Sequence, residues 1–401
     1  MRVAVLGAGL VGSCVALELA DSGHDVILFD RHLAPLCGAS TANEGKIHLG
    51  FVYALKAPIA TATVMQCGAA VFRPLLERWL TADILDDHGS RPFVYAVPRT
   101  SLLDPSAIRA HFAEVERLWH SNHAGARYLQ AIEGPLSSPL GDSDFDALFD
   151  RRHVADALRT EEVAIDPVQV CDALRVEVLR APRLEFRGRT EVERVERTRG
   201  GFRVLSQADC GDESVPCSQV VNALWQERLR VDASLGLASD RPVIHRFRVG
   251  FRASILGASA PLPTVSFVLG PYGDTVTYRD GVYASWYPSG LLSQEVSPWP
   301  SRTTVSVECS ERPRLLNESL EGLATFMPGA RRALTPDRDW RMVGGFISAW
   351  GRQGIEQKES ELHQRHEVGV HSTHGYHSID TGKFTLAPLF AAETCCRIAQ
   401  G

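Results

Sequence analysis

The sequence predicts an α/β protein in which a doubly wound parallel sheet is joined to an α+β unit with an antiparallel sheet. Two patterns carry this prediction. A short apolar strand at 3–6, a glycine-rich turn, a helix at 13–22 and a strand at 25–29 begin the chain, and this order is typical of a doubly wound sheet. Alternating apolar and polar residues favour antiparallel strands at 245–253, 264–269, 274–278, 282–287 and 303–309.

Length and composition exclude several classes of protein. Of the 401 residues, 44% are hydrophobic and 22% are charged, which excludes a disordered chain. The net charge of −6 gives no electrostatic attraction for nucleic acid. No run approaches the roughly 18 apolar residues of a membrane helix, so no integral membrane segment is expected. The nine cysteines lack metal-ligand spacing and no signal peptide is apparent, which predicts reduced thiols, no bound metal and a cytoplasmic location.

The glycine-rich turn has the spacing of a dinucleotide-binding site. Its first glycine permits a tight turn, its second allows a pyrophosphate to approach the backbone, and its third allows the helix to pack closely on the strand. The helix N-terminus offers free N–H groups to phosphates. Asp30 lies 18 positions after the last glycine and is expected to bind ribose hydroxyls. The predicted nucleotide-binding residues here are Gly7, Gly9, Leu10, Val11, Gly12, Asp30 and Arg31, and they do not distinguish NAD from FAD.

Two further segments have the composition of cofactor-binding loops. Residues 38–50 read Gly-Ala-Ser-Thr-Ala-Asn-Glu-Gly-Lys-Ile-His-Leu-Gly. Such a run of small and polar residues can follow an extended cofactor and donate backbone and hydroxyl hydrogen bonds. Near the other end of the sequence, Gly-Lys-Phe-Thr at 382–385 precedes a helical stretch at 386–399. A helix N-terminus there favours negative charge on a bound group.

These segments resemble the FAD-dependent oxidoreductase superfamily typified by D-amino-acid oxidase and glycine oxidase. The Ala-Ser-x-x-Asn-x-Gly element is similar to the family's second flavin-contacting loop, and the Gly-Lys-x-Thr turn to its closing loop. The Ile-His-x-Gly extension is more similar to members acting on 2-hydroxyglutarate and glycerol 3-phosphate. The resemblance implies a Rossmann-like domain with non-covalent FAD. It implies cofactor contacts from Ala39, Ser40, Asn43, Gly45, Lys46, Ile47, Val192, Asn222, Gly382, Lys383, Phe384 and Thr385.

The two ends of the chain are therefore expected to meet on one cofactor, which makes the FAD-binding domain discontinuous. Its predicted segments are 1–85, 150–240 and 340–401. The predicted substrate-binding domain comprises 86–149 and 241–339. Other predicted elements are helices at 58–80, 166–180 and 313–330, a strand at 92–97, a surface loop at 134–146, strands with a hairpin across 184–205, and a strand at 219–225.

Three residues are candidates for chemistry. His48 is expected beside the flavin ring, where a neutral imidazole suits a base near pH 7; a histidine that only hydrogen-bonds a loop or the flavin is the alternative. Arg352 lies in a stretch similar to the family's Gly-x-Arg-Pro turn, where an arginine binds a substrate carboxylate; a surface or structural arginine is the alternative. Tyr53 is expected to reach the cavity. One alternating set of arginines is interpreted as a solvated strand face: Arg246, Arg248 and Arg252.

The predicted activity is FAD-dependent oxidation of an amino acid or related amine by hydride transfer to flavin N5. The alternatives are a 2-hydroxy-acid dehydrogenase, favoured by the Ile-His-x-Gly element, and a flavin monooxygenase of natural-product tailoring. An NAD-binding protein without flavin and a flavin-bound assembly factor without turnover are further alternatives. The expected partners are a small-molecule substrate and an electron acceptor such as oxygen or a quinone, with no nucleic acid.

Overall fold

Helices and strands occupy most of the chain in the computed structural model, which describes residues 1–132, 134–209, 211–237, 239–255 and 262–400. The helices are α1 (Leu10–Asp21), α2 (Pro58–Leu76), α3 (Ala82–Asp87), α4 (Pro105–Asn122), α5 (Asp142–Leu148), α6 (Pro167–Arg180), α7 (Arg228–Ser234), α8 (Tyr287–Gly290), α9 (Arg312–Phe326) and α10 (Ala387–Gln400). The strands are β1 (Arg2–Leu6), β2 (Asp25–Phe29), β3 (Val94–Pro98), β4 (Ser137–Pro139), β5 (Val154–Thr160), β6 (Leu184–Arg187), β7 (Thr190–Thr198), β8 (Gly201–Ala208), β9 (Gly211–Cys217), β10 (Gln219–Asn222), β11 (Val243–Ser254), β12 (Val265–Phe267), β13 (Gly273–Thr277), β14 (Gly281–Trp286), β15 (Leu291–Val296), β16 (Arg341–Trp350), β17 (Gly369–Thr373) and β18 (Tyr376–Asp380).

A six-stranded sheet contains the glycine-rich turn. Its strand order is β17-β18-β10-β1-β2-β6, and every pair is parallel except β17–β18. The last four residues of β1 are apolar and fully buried, as expected of a central parallel strand covered on both faces. Helix α1 packs beside α10. This sheet confirms the predicted doubly wound α/β architecture.

A nine-stranded sheet forms the second unit. Its order is β15-β11-β14-β13-β12-β3-β5-β4, and β16 also pairs with β11. All its pairs are antiparallel except β12 with β3, which confirms the predicted antiparallel α+β unit. The hairpin expected across 184–205 lies in a separate antiparallel sheet of order β7-β8-β9.

Several expected elements are wrong or misplaced. The run at 303–309 forms no strand: it pairs with no described strand and none of its side chains is fully buried, although Val305 packs against a small cluster that includes Phe247 and Phe346. The expected loop at 134–146 contains β4 and the start of α5, whose first turn carries Asp142 and Asp144 and is favoured there by the helix dipole. Helix α1 begins at Leu10 rather than at residue 13, and α2 and α9 end earlier than expected, at Leu76 and Phe326.

The chain passes several times between the two large sheets. Strands β5 and β16 lie within the segments 150–240 and 340–401, which the sequence assigns to the FAD-binding domain, yet they hydrogen-bond to β3 and β11 of the nine-stranded sheet. By strand pairing, residues 154–160 and 341–350 therefore belong with the second unit. The division into two domains stays a prediction.

Helix α2 corrects the expectation about apolar runs. By length and composition it could cross a membrane, with a mean hydropathy of 1.3 over its apolar window. Half of that window is buried inside the fold, where α2 packs against α4 and α10. Core helices commonly have this composition, so the helix is weak evidence for a membrane span.

The turn after β1 packs so closely against neighbouring backbone that two of its glycines have no room for a side chain. Gly7 has a φ of +94°, which L side chains rarely adopt. A Cβ on Gly7 would lie 2.7 Å from the carbonyl oxygen of Ala223, and a Cβ on Gly12 would lie 1.9 Å from the carbonyl oxygen of Gly7. Only glycine at these two positions allows α1, β1 and β10 to approach so closely.

Gly12→Ala is expected to lower the midpoint of thermal unfolding by several degrees and to reduce FAD incorporation. The added methyl overlaps the Gly7 carbonyl oxygen, and overpacking of this kind costs about 1–3 kcal/mol. Gly141→Ala is the matched control, because no atom lies within 4 Å of its Cβ position and its φ of −63° suits any residue. Equal melting midpoints for the two variants would contradict the packing argument.

Candidate functional site

A cleft opens at the carboxyl ends of the parallel strands. Strand β1 leads into Gly7, β2 into Asp30, β10 into Ala223 and β18 into Thr381, and all four residues line the cleft. Open parallel sheets bind ligands at this edge. Phe346 of β16 lines the same cleft, so the nine-stranded sheet also contributes to it.

Most of the sequence-predicted site residues meet in this cleft. Those that line it are Gly7, Gly9, Leu10, Val11, Asp30, Arg31, Ala39, Ser40, Asn43, Lys46, His48, Val192, Gly382, Lys383 and Phe384. Those that do not line it are Gly12, Gly45, Ile47, Tyr53, Asn222, Arg352 and Thr385.

Two of the residues outside the lining lie away from the cleft. Asn222 is fully buried, and its amide nitrogen donates to the carboxylate of Asp232 at 2.9 Å and to the hydroxyl of Tyr376 at 2.8 Å. Arg352 is exposed in the turn after β16. The structure therefore does not bring Arg352 to His48, and the side chain of Asn222 ties β10 to neighbouring elements.

Thr385 acts between two loops. Its hydroxyl accepts the backbone N–H of His48 at 3.0 Å and donates to the carbonyl of Lys46 at 3.1 Å. The threonine is fully buried. It therefore fixes the 382–385 turn against the loop that carries His48.

The first turn of α1 is prepared for an anion. Ser40 Oγ accepts the N–H of Leu10 at 3.0 Å and would lie 3.3 Å from a Cβ on Gly9. The N–H groups of Val11 and Gly12 lie in the first helical turn and lack helical acceptors. The positive end of the helix dipole adds to their attraction for negative charge.

The carboxylate of Asp30 is held at the edge of the cleft. Its Oδ2 accepts the N–H of Ala8 at 2.8 Å, and its Oδ1 accepts the N–H of His32 at 2.8 Å. The His32 ring also contacts Oδ1 at 2.8 Å. This fixed carboxylate follows β2, where dinucleotide-binding sheets bind a ribose.

Asn43 holds residues 38–50, the polar loop, in a folded-back conformation. Its amide nitrogen donates to the carbonyls of Ala39 and Ser40 at 3.0 Å, and its oxygen accepts the N–H of Gly45 at 2.7 Å. A Cβ on Gly45 would lie 1.8 Å from the carbonyl oxygen of Ile165. These contacts hold the loop along one side of the cleft.

A buried carboxylate faces His48. Nδ1 of His48 lies 3.6 Å from Oε1 of Glu162, which is fully buried. Glu162 also accepts the N–H of Leu49 at 2.5 Å and the hydroxyl of Tyr95. Burial lowers the pKa of His48 despite the carboxylate, so the imidazole is neutral near pH 7. Burial opposes the charge of Glu162, but His48 and Lys46 outweigh it and lower the pKa of the carboxyl.

Two lysines in the cleft have different surroundings. Lys46 Nζ pairs with Asp274 Oδ1 at 3.0 Å and lies 4.2 Å from the centre of the Phe93 ring. Burial opposes its charge, but Asp274 outweighs burial and raises the pKa of Lys46. Lys383 has no ion pair among the described residues. Burial, reinforced by the charge of Arg365, lowers the pKa of Lys383 to about 8.

Tyr53 lies between His48 and Lys383. Its ring centre is 5.3 Å from that of His48, and Lys383 Nζ is 5.7 Å from the centre of the Tyr53 ring. The hydroxyl is buried and has no hydrogen-bond partner within the described chain. Burial raises the pKa of Tyr53, so the phenol stays protonated.

The structure also identifies lining residues that the sequence argument missed. Trp225 follows β10 with a φ of +54°, and its indole N–H donates to the carbonyl of Phe346 at 2.8 Å. Arg230 donates to the carbonyl of Val192 at 2.8 Å. Trp225 could have been found from its place just after β10, because residues that follow parallel strands at this sheet edge commonly contact the ligand. Glu162 has no comparable signal, because its burial depends on distant segments.

The sequence matches a known family over most of its length. Residues 2–270 match the family model described as FAD dependent oxidoreductase. The chain belongs to this family. FAD is therefore its cofactor, as the resemblance of the two loops implies. Within the described residues, no group of three or more His, Cys, Asp or Glu side chains could hold a metal ion.

Individual proteins resemble this family member in part or in fold. A D-amino acid dehydrogenase of Rhizobium rhizogenes is 41% identical over 157 residues, which are 37% of this chain and 36% of that protein. D-amino acid dehydrogenase 2 of Mesorhizobium japonicum is 41% identical over 16% of each chain. These matches thus span about a third of the relatives' length or less. The crystal structure of glycine oxidase from Geobacillus kaustophilus has a TM-score of 0.67 at 15% identity, covering 100% of this chain and 95% of that one.

The residues of the cleft fit FAD. The glycines leave the backbone bare where a pyrophosphate would approach, and the N–H groups of Val11 and Gly12 have no helical acceptor. Asp30 is positioned after β2, and the 382–385 turn faces the same cleft as the 38–46 loop. The arrangement suits an elongated, anionic cofactor.

Lys383→Met is expected to change how the stability of the apoprotein depends on pH. In the folded state the pKa of Lys383 is lowered from 10.5 to about 8, so between these values the unfolded chain binds the extra proton. The contribution of Lys383 to the free energy of unfolding therefore becomes more favourable to the folded state as the pH increases through that range. Urea unfolding at several pH values should show the wild type gaining stability relative to the variant. A difference that is constant across the range would contradict the shift.

Proposed function

We propose that this protein oxidises an amino acid at the carbon that bears the amine, with FAD as the hydride acceptor. The observation that carries the proposal is a neutral, carboxylate-backed histidine in the same cleft as unpaired positive side chains. A positive region attracts a substrate carboxylate, and the neutral imidazole of His48 can accept a proton. The partial matches to D-amino acid dehydrogenases support the same reaction.

The residues that would hold FAD follow from the geometry. The first turn of α1, with Gly9, Leu10 and Val11, would bind the pyrophosphate, and Asp30 the ribose. The 39–47 loop and the turn at 382–385 would hold the flavin ring. When bound, FAD supplies the acceptor for the hydride.

The charges of the cleft prepare the substrate for oxidation. An amine releases a hydride only when it is unprotonated, because its lone pair must stabilise the developing cation. The positive charges of Lys383 and Arg365 lower the pKa of a bound ammonium group. Nδ1 of His48 faces Glu162, which leaves Nε2 to accept the proton. Glu162 then stabilises the imidazolium that forms.

A 2-hydroxy acid is the second candidate substrate. An alcohol must lose a proton from oxygen as well as a hydride from carbon, so a base is needed more strongly than for an amine. The Ile-His-x-Gly element supports this alternative, and the contact of 3.6 Å between His48 and Glu162 suits the base that it needs. The Cα–H bond breaks in the same place in both cases, and the two substrates use the same residues.

The electron acceptor and the location are also proposals. Oxygen or a quinone would reoxidise the flavin. A cytoplasmic location is supported by the thiols, because every cysteine in the described ranges is free and reducing compartments keep cysteines so.

Anaerobic mixing of the FAD-loaded protein with a panel of substrates tests the proposal. Amino acids of both configurations should bleach the visible absorbance of the flavin faster than 2-hydroxy acids of matched side chain. Faster bleaching by the hydroxy acids would establish the second candidate. If neither the amino acids nor the 2-hydroxy acids bleach the flavin, both proposed oxidations are contradicted.

His48→Gln is expected to slow flavin bleaching by about 100-fold or more, because general base catalysis typically contributes at least this factor. Glu162→Gln should slow it less and shift the pH dependence of the wild-type rate, since Glu162 acts through His48. Tyr95→Phe keeps both groups and is the control for disturbing the buried carboxylate. If His48→Gln with FAD fully bound bleaches at the wild-type rate, His48 is not the base.

A further inference from the structure

Two buried arginines form no direct ion pair with any acidic side chain in the described ranges. Arg246 is 3% exposed and Arg365 is 6% exposed. Within the described ranges neither forms an ion pair, and Nε of each lacks a hydrogen-bond partner. The Arg246 guanidinium donates a hydrogen bond to the Tyr287 hydroxyl at 3.1 Å. The sequence-based interpretation of Arg246 as part of a solvated strand face is therefore wrong, because loops and neighbouring strands cover that face.

Both arginines lie next to the cleft. Arg246 is opposite Ile347 across the β11–β16 pair, and Ile347 lines the cleft. Arg365 borders a small cavity together with Gly382, which also lines the cleft. Burial and the charge of Arg246 lower the pKa of Arg365 to about 10. The two guanidinium groups and Lys383 thus act on one region.

Two acidic groups nearby form no ion pair in the described ranges: Glu44 lines the cleft and acts on Lys383, and Glu356 is exposed, so that solvent screens its charge from Arg246. The other acidic groups nearby are already engaged. Asp274 pairs with Lys46 at 3.0 Å, and Asp380 pairs with Arg228 at 3.4 Å. Glu162 is held by Tyr95 and Leu49 and faces His48. A positive excess remains on the substrate side of the cleft. Burying an unpaired charge is costly, so a bound anion is the expected partner.

One carboxylate does not balance this excess. The phosphates of FAD would lie at the first turn of α1, away from these arginines, and a flavin ring carries at most one negative charge, which Lys383 in the 382–385 turn would face. The α-carboxylate of an amino acid neutralises one guanidinium. The second guanidinium then remains unpaired unless the substrate carries another acid group.

We propose that the substrate is a dicarboxylic acid, whose two carboxylates are bound by Arg246 and Arg365. This inference rests on the proposed function, because it names the substrate class of the same cleft. It predicts that acidic substrates are strongly preferred over their uncharged amides, which have nearly the same shape.

Aspartate and glutamate of both configurations should be compared with asparagine and glutamine in the anaerobic bleaching assay. The acids are expected to reduce the flavin with a second-order rate constant about tenfold or more above that of the amides, since loss of a buried charge partner is heavily penalised. Equal rate constants for acid and amide would overturn the dicarboxylate assignment. They would leave the proposed oxidation intact.

Glutarate provides a readout that does not depend on turnover. It should raise the melting midpoint of the FAD-loaded protein and do so at concentrations at least about tenfold below those required for its monoamide. The same stabilisation with no bleaching by any amino acid would support the two-anion site while contradicting the proposed oxidation. Equal stabilisation by glutarate and its monoamide would overturn the site.

Three arginine-to-methionine variants test the assignment of residues. Arg246→Met and Arg365→Met should each raise the melting midpoint of the ligand-free protein, because each removes an unpaired buried charge, and each should reduce the acid-to-amide preference severalfold. Arg252→Met is the matched control, because Arg252 lies on the same strand and pairs with Asp166 at 2.5 Å. It should lower the midpoint and retain the preference. Lower midpoints together with an unchanged preference in Arg246→Met and Arg365→Met would overturn the proposal.

Discussion

The buried carboxylate of Glu162 is the interaction on which the site depends. A fully buried carboxylate is stable only when hydrogen bonds replace its water shell, and Glu162 obtains them from Leu49 in the polar loop and Tyr95 in β3. One partner belongs to the loop that reaches the nucleotide cleft, and the other belongs to the nine-stranded sheet. Satisfying this one side chain therefore fixes how the second unit is set against the cleft, and it gives His48 a negative neighbour.

A second tie brings distant parts of the sequence to the same place. Thr385 accepts a hydrogen bond from His48 and donates one to Lys46, across more than 330 positions of sequence. The 382–385 turn thereby fixes the position of the loop that carries His48. Because a threonine hydroxyl both donates and accepts, it can join two backbone groups that would otherwise be buried without partners. This contact joins the turn that we propose holds the flavin to the loop that carries the proposed base.

The sequence predicted those features that depend on local backbone chemistry. The glycine-rich turn, Asp30 and the 38–50 loop are contiguous motifs, and they occupy the cleft where the strand ends require a ligand. Side chains whose role depends on long-range burial were not predictable. Arg246 alternates along β11 as an exposed residue would, yet the fold covers it. Arg352 sits in a motif-like turn but is exposed, whereas Arg365, which has no motif around it, is buried beside the cleft.

The order of strands in the six-stranded sheet has a consequence for biosynthesis. Strand β10 pairs with β1 on one side and with β18 on the other, and β18 is synthesised about 370 residues after β1. At roughly 5–20 residues per second, this interval is about 20–70 s. During that time the glycine-rich turn is present without the 382–385 turn that completes the cleft. The cleft is therefore complete only after both turns have been translated, and until then β10 has an unpaired edge.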